Sequence, residues 1–349
     1  MRLHREDPRP AGDLPVGINP ASQPSPRRPA ARRRISRRAQ RRAGRRAGWE
    51  ADAACAGHPA EHGLSIPVEP HSGLQIRHRN IAYPGGSDHH RFDIILSGGC
   101  RQGPVPLVVW LPGDDWTAVD RGDCPIAWLA GHGYAVASVS YRPSPVCRFP
   151  GQWDDCRAAI GQLVADASLW NISPDHIAVV GRAGGGQLAA LLGLKPAGTA
   201  VEPGGSPKKT VSIAAVCSIS PVTSLTTLGD NHDRLAAAAS RLIGGPLAEL
   251  REAALAASPL SYISADDPPV LLIHDRRGRL VPPSQSQRLH AALQAAGVES
   301  QLVIGDDPTG SLDETSRIGR LVLDFLDRKL FGTVESIVVD EPPAGRSDG

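Results

Sequence analysis

The stretch that decides the fold is residues 176–194, HIAVVGRAGGGQLAALLGL. The first five residues, His176–Val180, are mostly apolar and predict a buried strand. This strand runs directly into the glycine-rich turn 181–186, and the residues that follow predict a helix over Gln187–Leu194. A strand, a sharp turn and a helix together predict one unit of a mostly parallel sheet with helices on both faces.

The rest of the chain extends this pattern in both directions. An opening antiparallel hairpin is predicted from Asn80–Tyr83 and Phe92–Leu96. A buried strand is predicted from the continuous apolar run Val105–Leu111. Further strands are predicted at Tyr134–Tyr141, Val211–Ile219, Val270–His274 and Gln301–Ile304, and helices at Ile126–Leu129, Asp154–Leu169, Ser284–Ala296 and Thr315–Leu330. Residues 224–257 are irregular and helical, which indicates an insertion before the last two strands.

Composition limits the class of protein. Of 349 residues, 41% are apolar, which is enough for a sizeable core and excludes wholesale disorder. No run approaches the length of a membrane-spanning helix, so we expect no membrane span. No motif with metal-ligand spacing is present, so neither a metal nor another cofactor is expected.

The near-zero net charge of +2 hides an uneven distribution. The first 50 residues hold 14 arginines and 4 acidic residues. The predicted organisation of the chain is a disordered arm over 1–67, one domain over 68–332 and a flexible tail over 333–349. Residues 27–46 are either an electrostatic contact for nucleic acid or an anionic surface, or an extension without function. No signal peptide is recognised, so the cytoplasm is the expected compartment.

The order of elements is that of an α/β-hydrolase, and local motifs refine this. Tyr141-Arg142, Phe149-Pro150 with Asp155, and Val281-Pro282 resemble the esterase/lipase branch of that superfamily, in particular the bacterial feruloyl-esterase-like (BD-FAE) type. The late strand with its leading Asp267-Pro268-Pro269 resembles the same family. The resemblance covers about residues 80–330 and implies an α/β-hydrolase fold and an ancestry of acyl, acetyl or carbohydrate ester hydrolysis.

The resemblance also locates the three catalytic positions, and none of them carries the family's functional group. The elbow Gly-x-Ser-x-Gly is here Gly181-Arg182-Ala183-Gly184-Gly185, so a methyl replaces the nucleophile. By the family's pattern Gly278 stands at the acid position and Thr309 at the base position. A threonine hydroxyl cannot accept a proton near neutral pH.

The loop that supplies oxyanion donors has changed as well. The family's His-Gly-Gly-Gly-Trp is here Pro112-Gly113-Asp114-Asp115-Trp116, with Gly184 as the equivalent donor after the elbow. Two carboxylates at Asp114 and Asp115 would repel an oxyanion. Because this loop and the triad have both changed, we expect ordinary serine-esterase turnover to be near background.

Charged residues now occupy the loops at the functional edge of the sheet. Three interpretations are open: an ion-pair network with Arg182 bridging Asp114 and Asp115, an oxygen-rich cation site, or solvated surface charges. The candidate cluster comprises Asp114, Asp115, Arg182, Asp275, Arg277, Asp306 and Asp307, with Arg276 and Arg279 nearby. His274 and Ser220 lie at strand ends on this edge, where a structural role is expected for both.

Three functions follow from these observations. The first is a catalytically degenerate esterase homologue that binds a small ester-like ligand, acts in regulation or keeps no role. The second is an active carboxylic-ester hydrolase with displaced catalytic residues. The third is an interaction protein that uses its basic N-terminal arm.

Overall fold

A computed structural model describes residues 75–98, 103–113, 115–117, 120–144, 146–195, 211–228, 233–278, 280–306 and 311–332. These residues form an eight-stranded sheet in the order β1-β2-β4-β3-β5-β6-β7-β8. The strands are β1 Gln75–Ala82, β2 Arg91–Ser97, β3 Val105–Leu111, β4 Ala135–Val139, β5 Ile172–Arg182, β6 Ala215–Ile219, β7 Val270–Asp275 and β8 Ser300–Gly305. β2 pairs antiparallel with β1 and β4, and all other pairs are parallel. The predicted opening hairpin and mostly parallel sheet are confirmed.

The centre of the sheet is apolar on both faces. Along β3, Leu107 and Val109 point into one buried core, whereas Val108 and Trp110 point into the other. Strands alternate their side chains between faces, so a strand covered on both sides is apolar throughout. This arrangement explains the unbroken apolar run from which β3 was predicted.

Helices cover both faces and begin or end close to the predicted positions. They are α1 Gly151–Ala165, α2 Ala167–Trp170, α3 Gly184–Leu194, α4 Asp233–Ile243, α5 Arg251–Ala256, α6 Ser284–Ala295 and α7 Arg317–Leu326. The single helix predicted over Asp154–Leu169 is wrong, because Asp166 leaves the helical conformation with ψ of 18° and separates α1 from α2. Its carboxylate accepts a hydrogen bond from Gln162 Nε2 at 2.7 Å, which attaches the Asp166 side chain to the last turn of α1.

The predicted insertion packs around a core of its own. A 3-10 turn at Leu225–Thr227, α4 and α5 contribute apolar residues to one buried cluster. Trp116 from the loop after β3 and Val281 from the loop after β7 belong to the same cluster. The insertion therefore packs directly on two of the loops that surround the candidate site.

The loop after β4 is fixed by a buried charge cluster. Asp155 on α1 accepts hydrogen bonds from the backbone N–H of Arg142 at 3.0 Å, from its Nε at 2.8 Å and from its Nη2 at 2.7 Å. His90 Nε2 lies 3.0 Å from Asp155 Oδ1, the oxygen that also accepts from Arg142 Nη2, and the side chains of His90 and Asp155 are both buried. The Tyr83 ring lies 5.2 Å from the His90 ring, and the Tyr83 hydroxyl donates to Ser140 O at 2.6 Å. The resemblance identified Arg142 and Asp155 separately, and the structure shows that they bind each other.

The predicted arm over 1–67 and tail over 333–349 lie outside the described residues. Within the described ranges, no helix is long and apolar enough to cross a membrane. The same ranges contain no group of three or more histidine, cysteine or acidic side chains placed to hold a metal ion.

Candidate active site

The turn between β5 and α3 has the conformation of a nucleophile elbow. Ala183 has φ of 49° and ψ of −109°, a combination that strains any residue with a Cβ atom. Its N–H donates to Ile219 O of the neighbouring strand at 2.8 Å, which holds the turn in place. Ala183 is only 5% exposed, so its methyl group is buried at the turn where the resemblance predicts the nucleophile position.

The glycines of the elbow are required by packing, whatever the residue between them. A Cβ on Gly181 would lie 2.2 Å from Gly185 O, and a Cβ on Gly185 would lie 2.1 Å from Leu111 O. Both distances are far shorter than any real contact of a Cβ atom, so the helix can approach β5 and β3 this closely only with glycine. Packing therefore requires the glycines of the elbow motif, independently of catalysis.

What the elbow can do chemically follows from its remaining groups. An alanine methyl has no lone pair, so it cannot attack a carbonyl carbon. Gly184 is the first residue of α3, and the N–H groups of a first helical turn have no acceptor within the helix. Such a terminus favours an oxygen ligand with negative charge. The elbow can contribute to binding an ester or carboxylate oxygen, but Ala183 cannot form an acyl intermediate.

Gly278, the predicted acid position, lies in a tight turn after β7. This glycine has φ of 49°, and a Cβ built on it would lie 2.5 Å from Pro283 Cδ and 2.8 Å from Val281 O. Its N–H donates to Asp275 O at 3.0 Å, and Asp275 Oδ1 accepts from the N–H of Arg277 at 3.0 Å. The loop is thus a tight turn without space for an aspartate. Thr309, the predicted base position, lies outside the described residues.

The loop equivalent to the oxyanion loop is anchored at both ends. Gly113 O accepts from the N–H of Gly185 at 3.0 Å. Trp116 is fully buried, and its Nε1 donates to Gln187 Oε1 at 2.7 Å. Gln187 Nε2 in turn donates to Ala257 O of the insertion at 2.6 Å. Sequence reasoning missed Gln187, although a lone amide among the apolar residues of α3 was a visible signal.

The carboxylate of Asp115 is used within its own turn. Its Oδ1 accepts hydrogen bonds from the backbone N–H of Thr117 at 3.2 Å and from the Thr117 hydroxyl. Asp114 lies outside the described residues, and so does its predicted bridge to Arg182. The network hypothesis for Arg182 therefore remains a prediction.

Among the other predicted charges, one ion pair joins the loops after β7 and β8. Arg276 Nε lies 3.4 Å from Asp306 Oδ1, and the two side chains are 64% and 79% exposed. The backbone N–H of Arg276 also donates to Gly305 O at 2.6 Å. An ion pair this exposed contributes about 0–1 kcal/mol, which agrees with the interpretation of solvated surface charges for this part of the cluster. Arg279 and Asp307 lie outside the described residues.

His274 has a structural role, as expected from the sequence. Its Nε2 lies 2.9 Å from Val281 O and its Nδ1 lies 2.7 Å from Ser286 Oγ, with the side chain fully buried. Because a carbonyl can only accept, the proton is on Nε2 and Nδ1 accepts from the serine hydroxyl. Both ring nitrogens are occupied, so His274 cannot serve as a general base without breaking this arrangement.

Burial of His274 predicts a dependence of stability on pH. Desolvation lowers the pKa of the imidazole below its usual value, so the unfolded chain takes up the proton at a higher pH than the folded chain. Stability from the neutral ring is complete above about pH 6.5 and decreases as pH falls through the lowered folded-state pKa, by at most about 1.4 kcal/mol per pH unit. Urea unfolding of the wild type and His274→Gln between pH 8 and pH 5 should show a free-energy difference that changes over this interval. A constant difference would contradict the assignment.

Comparison with known proteins identifies the family to which the chain belongs. Residues 92–293 match the family model BD-FAE. Esterase LipQ of Mycobacterium tuberculosis is 27% identical over 301 residues, which cover 79% of this chain and 69% of LipQ. The probable carboxylic ester hydrolase LipM of the same organism is 32% identical over 254 residues, covering 68% of this chain and 57% of LipM, so the chain spans little more than half of that relative.

Solved structures support the fold. A truncated carbohydrate esterase from gut microbiota superposes with a TM-score of 0.62 at 22% identity, covering 73% of this chain and 96% of that protein. Esterase B from Lactobacillus rhamnosis, inhibited by a tributyrin phosphonate, superposes with a TM-score of 0.61 at 20% identity, covering 74% of this chain and 87% of that protein. The strand order, the elbow and the match over most of the domain lead to one conclusion: the chain belongs to the BD-FAE family of α/β-hydrolase-fold esterases.

Proposed function

We propose that this chain is a catalytically inactive esterase homologue, a pseudo-esterase that binds an ester-like or carboxylate ligand at the elbow without hydrolysing it. The observation that carries this proposal is Ala183, which occupies the strained elbow with a methyl group. Gly278 supports it, because the acid position has no side chain and no space for one.

The size of the expected deficit supports inactivity. In serine hydrolases, removal of the nucleophile costs about 10⁶ in turnover, and the residual acceleration of about 10³–10⁴ depends on oxyanion donors and binding. Here the acid and the nucleophile are both absent at positions fixed by the surrounding glycines and prolines. Residual hydrolysis would have to come from binding and helix-terminus donors alone.

Hydrolysis of p-nitrophenyl butyrate by the purified full-length chain tests the proposal. We expect a rate no faster than that of the heat-denatured protein at equal concentration, with no burst of nitrophenolate. Separately, the folded chain should bind a non-hydrolysable butyramide analogue, detected by calorimetry. Catalytic turnover above the denatured control would contradict inactivity.

The second candidate function is an active hydrolase with a displaced nucleophile, and Ser220 is the observation that favours it. Ser220 has φ of 45°, lies at the end of β6 next to the elbow, and its Oγ is 3.4 Å from the N–H of Asp275. This contact is long for a hydrogen bond, so the hydroxyl is weakly engaged. If the full-length chain hydrolysed the ester and Ser220→Ala abolished that activity, the displaced-nucleophile function would replace the proposed one.

A further inference from the structure

A cavity lies away from the elbow, between the start of the insertion and α6. Its volume is about 450 Å³, within the range of small-molecule sites. It is lined by Ser224, Thr226, Thr227, Leu255, Leu260, Ser261 and Arg288, and we name it the hydroxyl cleft. None of these residues belongs to the elbow or to its surrounding loops.

One wall of the hydroxyl cleft is held by Gln285, which is fully buried on α6. Its Oε1 accepts from the backbone N–H of Thr223 at 2.8 Å and of Ser224 at 2.7 Å, and its Nε2 donates to Thr227 O at 2.6 Å. The Ser258 hydroxyl fixes the segment again, because it accepts from the N–H of Leu225 at 2.9 Å. The wall is therefore formed before any ligand arrives, which lowers the ordering cost of binding.

The charge of the lining favours an anion. Arg288 is exposed, and among the described residues its guanidinium makes one hydrogen bond, from Nη1 to Thr227 O at 3.2 Å. That contact leaves four guanidinium N–H donors for a ligand, and among the described residues that line the cleft none is acidic. The Ser261 hydroxyl has no hydrogen-bond partner among the described residues and can donate to the same ligand.

The hydroxyls of this same wall already form a chain among themselves. Thr227 Oγ1 donates to Ser224 Oγ at 2.8 Å, and Thr226 Oγ1 lies 3.1 Å from the same atom. Opposite this polar edge, Leu260 is half-buried and Leu255 is 38% exposed, an apolar surface open to the cleft. A ligand that fits both surfaces has one anionic head and a hydrocarbon body.

We propose that the hydroxyl cleft binds a monocarboxylate with a short hydrocarbon body, its carboxylate on Arg288 and Ser261 and its chain on Leu255 and Leu260. A guanidinium pairs with a carboxylate through two parallel N–H donors, which makes the charge and shape of the head specific. This site does not depend on whether the elbow is catalytic, so its test is independent of the proposed function.

Titration of the full-length chain with hexanoate, followed by calorimetry, tests the site. We expect saturable binding at 50 mM salt, at least tenfold weaker binding of the uncharged hexanamide, and weakening as salt rises. Arg288→Gln should weaken hexanoate binding at least tenfold. Arg251→Gln, which changes an exposed arginine on α5 outside the cleft, should leave it unchanged.

A second variant keeps the test decisive if Arg288→Gln perturbs the fold. Ser261→Asp places a carboxylate beside the guanidinium from an exposed position, so it should abolish hexanoate binding while circular dichroism stays that of the wild type. The proposal is overturned if hexanoate does not saturate, if hexanamide binds equally well, or if folded Ser261→Asp binds hexanoate like the wild type.

Discussion

Replacing Ala183 by serine is expected to leave hydrolysis of p-nitrophenyl butyrate at the level of the denatured protein. The hydroxyl would enter a backbone already in the elbow conformation, with φ of 49° and ψ of −109°. A serine hydroxyl is a weak nucleophile until a base removes its proton, and the predicted acid position offers no carboxylate to orient such a base. The restored serine should therefore remain at least about 10⁵-fold below an intact triad.

Introducing an aspartate at the predicted acid position is also expected to leave the protein without hydrolytic activity, because the turn has no room for the side chain. In the double variant Ala183→Ser/Gly278→Asp, the new Cβ would meet Pro283 Cδ at 2.5 Å and Pro282 Cα at 3.0 Å. The Gly278 turn would have to open before a carboxylate could reach the elbow. We expect this double variant to be less stable than the wild type in urea and still without turnover.

The matched control for the serine variant is Ala183→Gly, which relieves the positive φ without adding a functional group. Left-handed and related strained conformations cost about 1–3 kcal/mol for a residue with a Cβ atom, so the glycine variant should not unfold more easily than the wild type. Stoichiometric labelling of Ala183→Ser by a fluorophosphonate probe, absent in Ala183→Gly, would contradict the prediction. It would show that a base reaches residue 183.

The sequence was sufficient to predict elements whose local pattern agrees with their position in the fold. The bounds of β3 match the predicted run Val105–Leu111, because a strand buried on both faces has an unbroken apolar sequence. The turn at Ala183 was predictable because glycines at 181, 184 and 185 allow a close helix approach that few other sequences permit.

The sequence was insufficient where a side chain finds its partner across the fold. Gln187 bridges Trp116 and Ala257, which are 71 and 70 residues away, and no spacing rule connects them. The steric closure at Gly278 depends on how Val281 and the following prolines return past it, which a motif comparison does not reveal. The sequence left open whether Asp115 joins an ion pair, a cation site or solvated surface charges, and it did not predict the contact with Thr117, two residues along the chain.

A second large effect, on stability, is expected from substitution of Asp155 in the charge cluster that fixes the loop after β4. Asp155 is 4% exposed and contacts Arg142 three times and His90 once. The carboxylate raises the pKa of Arg142, so the arginine is held in its charged form. Removal of the carboxylate leaves the buried His90 without its partner and breaks all three hydrogen bonds to Arg142, whose side chain is 32% exposed and can be partly solvated instead.

Asp155→Ala is therefore expected to lower the free energy of unfolding by about 2–4 kcal/mol, a large part of a typical domain's stability. The loop after β4 would lose its anchor, since the backbone N–H of Arg142 also donates to this carboxylate. Guanidinium unfolding at pH 7, followed by tryptophan fluorescence, should show the lower midpoint. Asp155→Asn, which keeps the volume and one acceptor, should fall between Asp155→Ala and the wild type.

The neighbouring Asp154 supplies the control, because it is an exposed carboxylate on the same turn of α1. Asp154→Ala removes the same charge from the same helix, yet substitution at an exposed position changes stability by only about 0.5 kcal/mol. Equal midpoints for Asp154→Ala and Asp155→Ala would mean that the contacts of Asp155 add nothing beyond net charge. A difference of several kcal/mol would instead assign the stability to the contacts of Asp155 with Arg142 and His90, which fix the loop after β4 to α1.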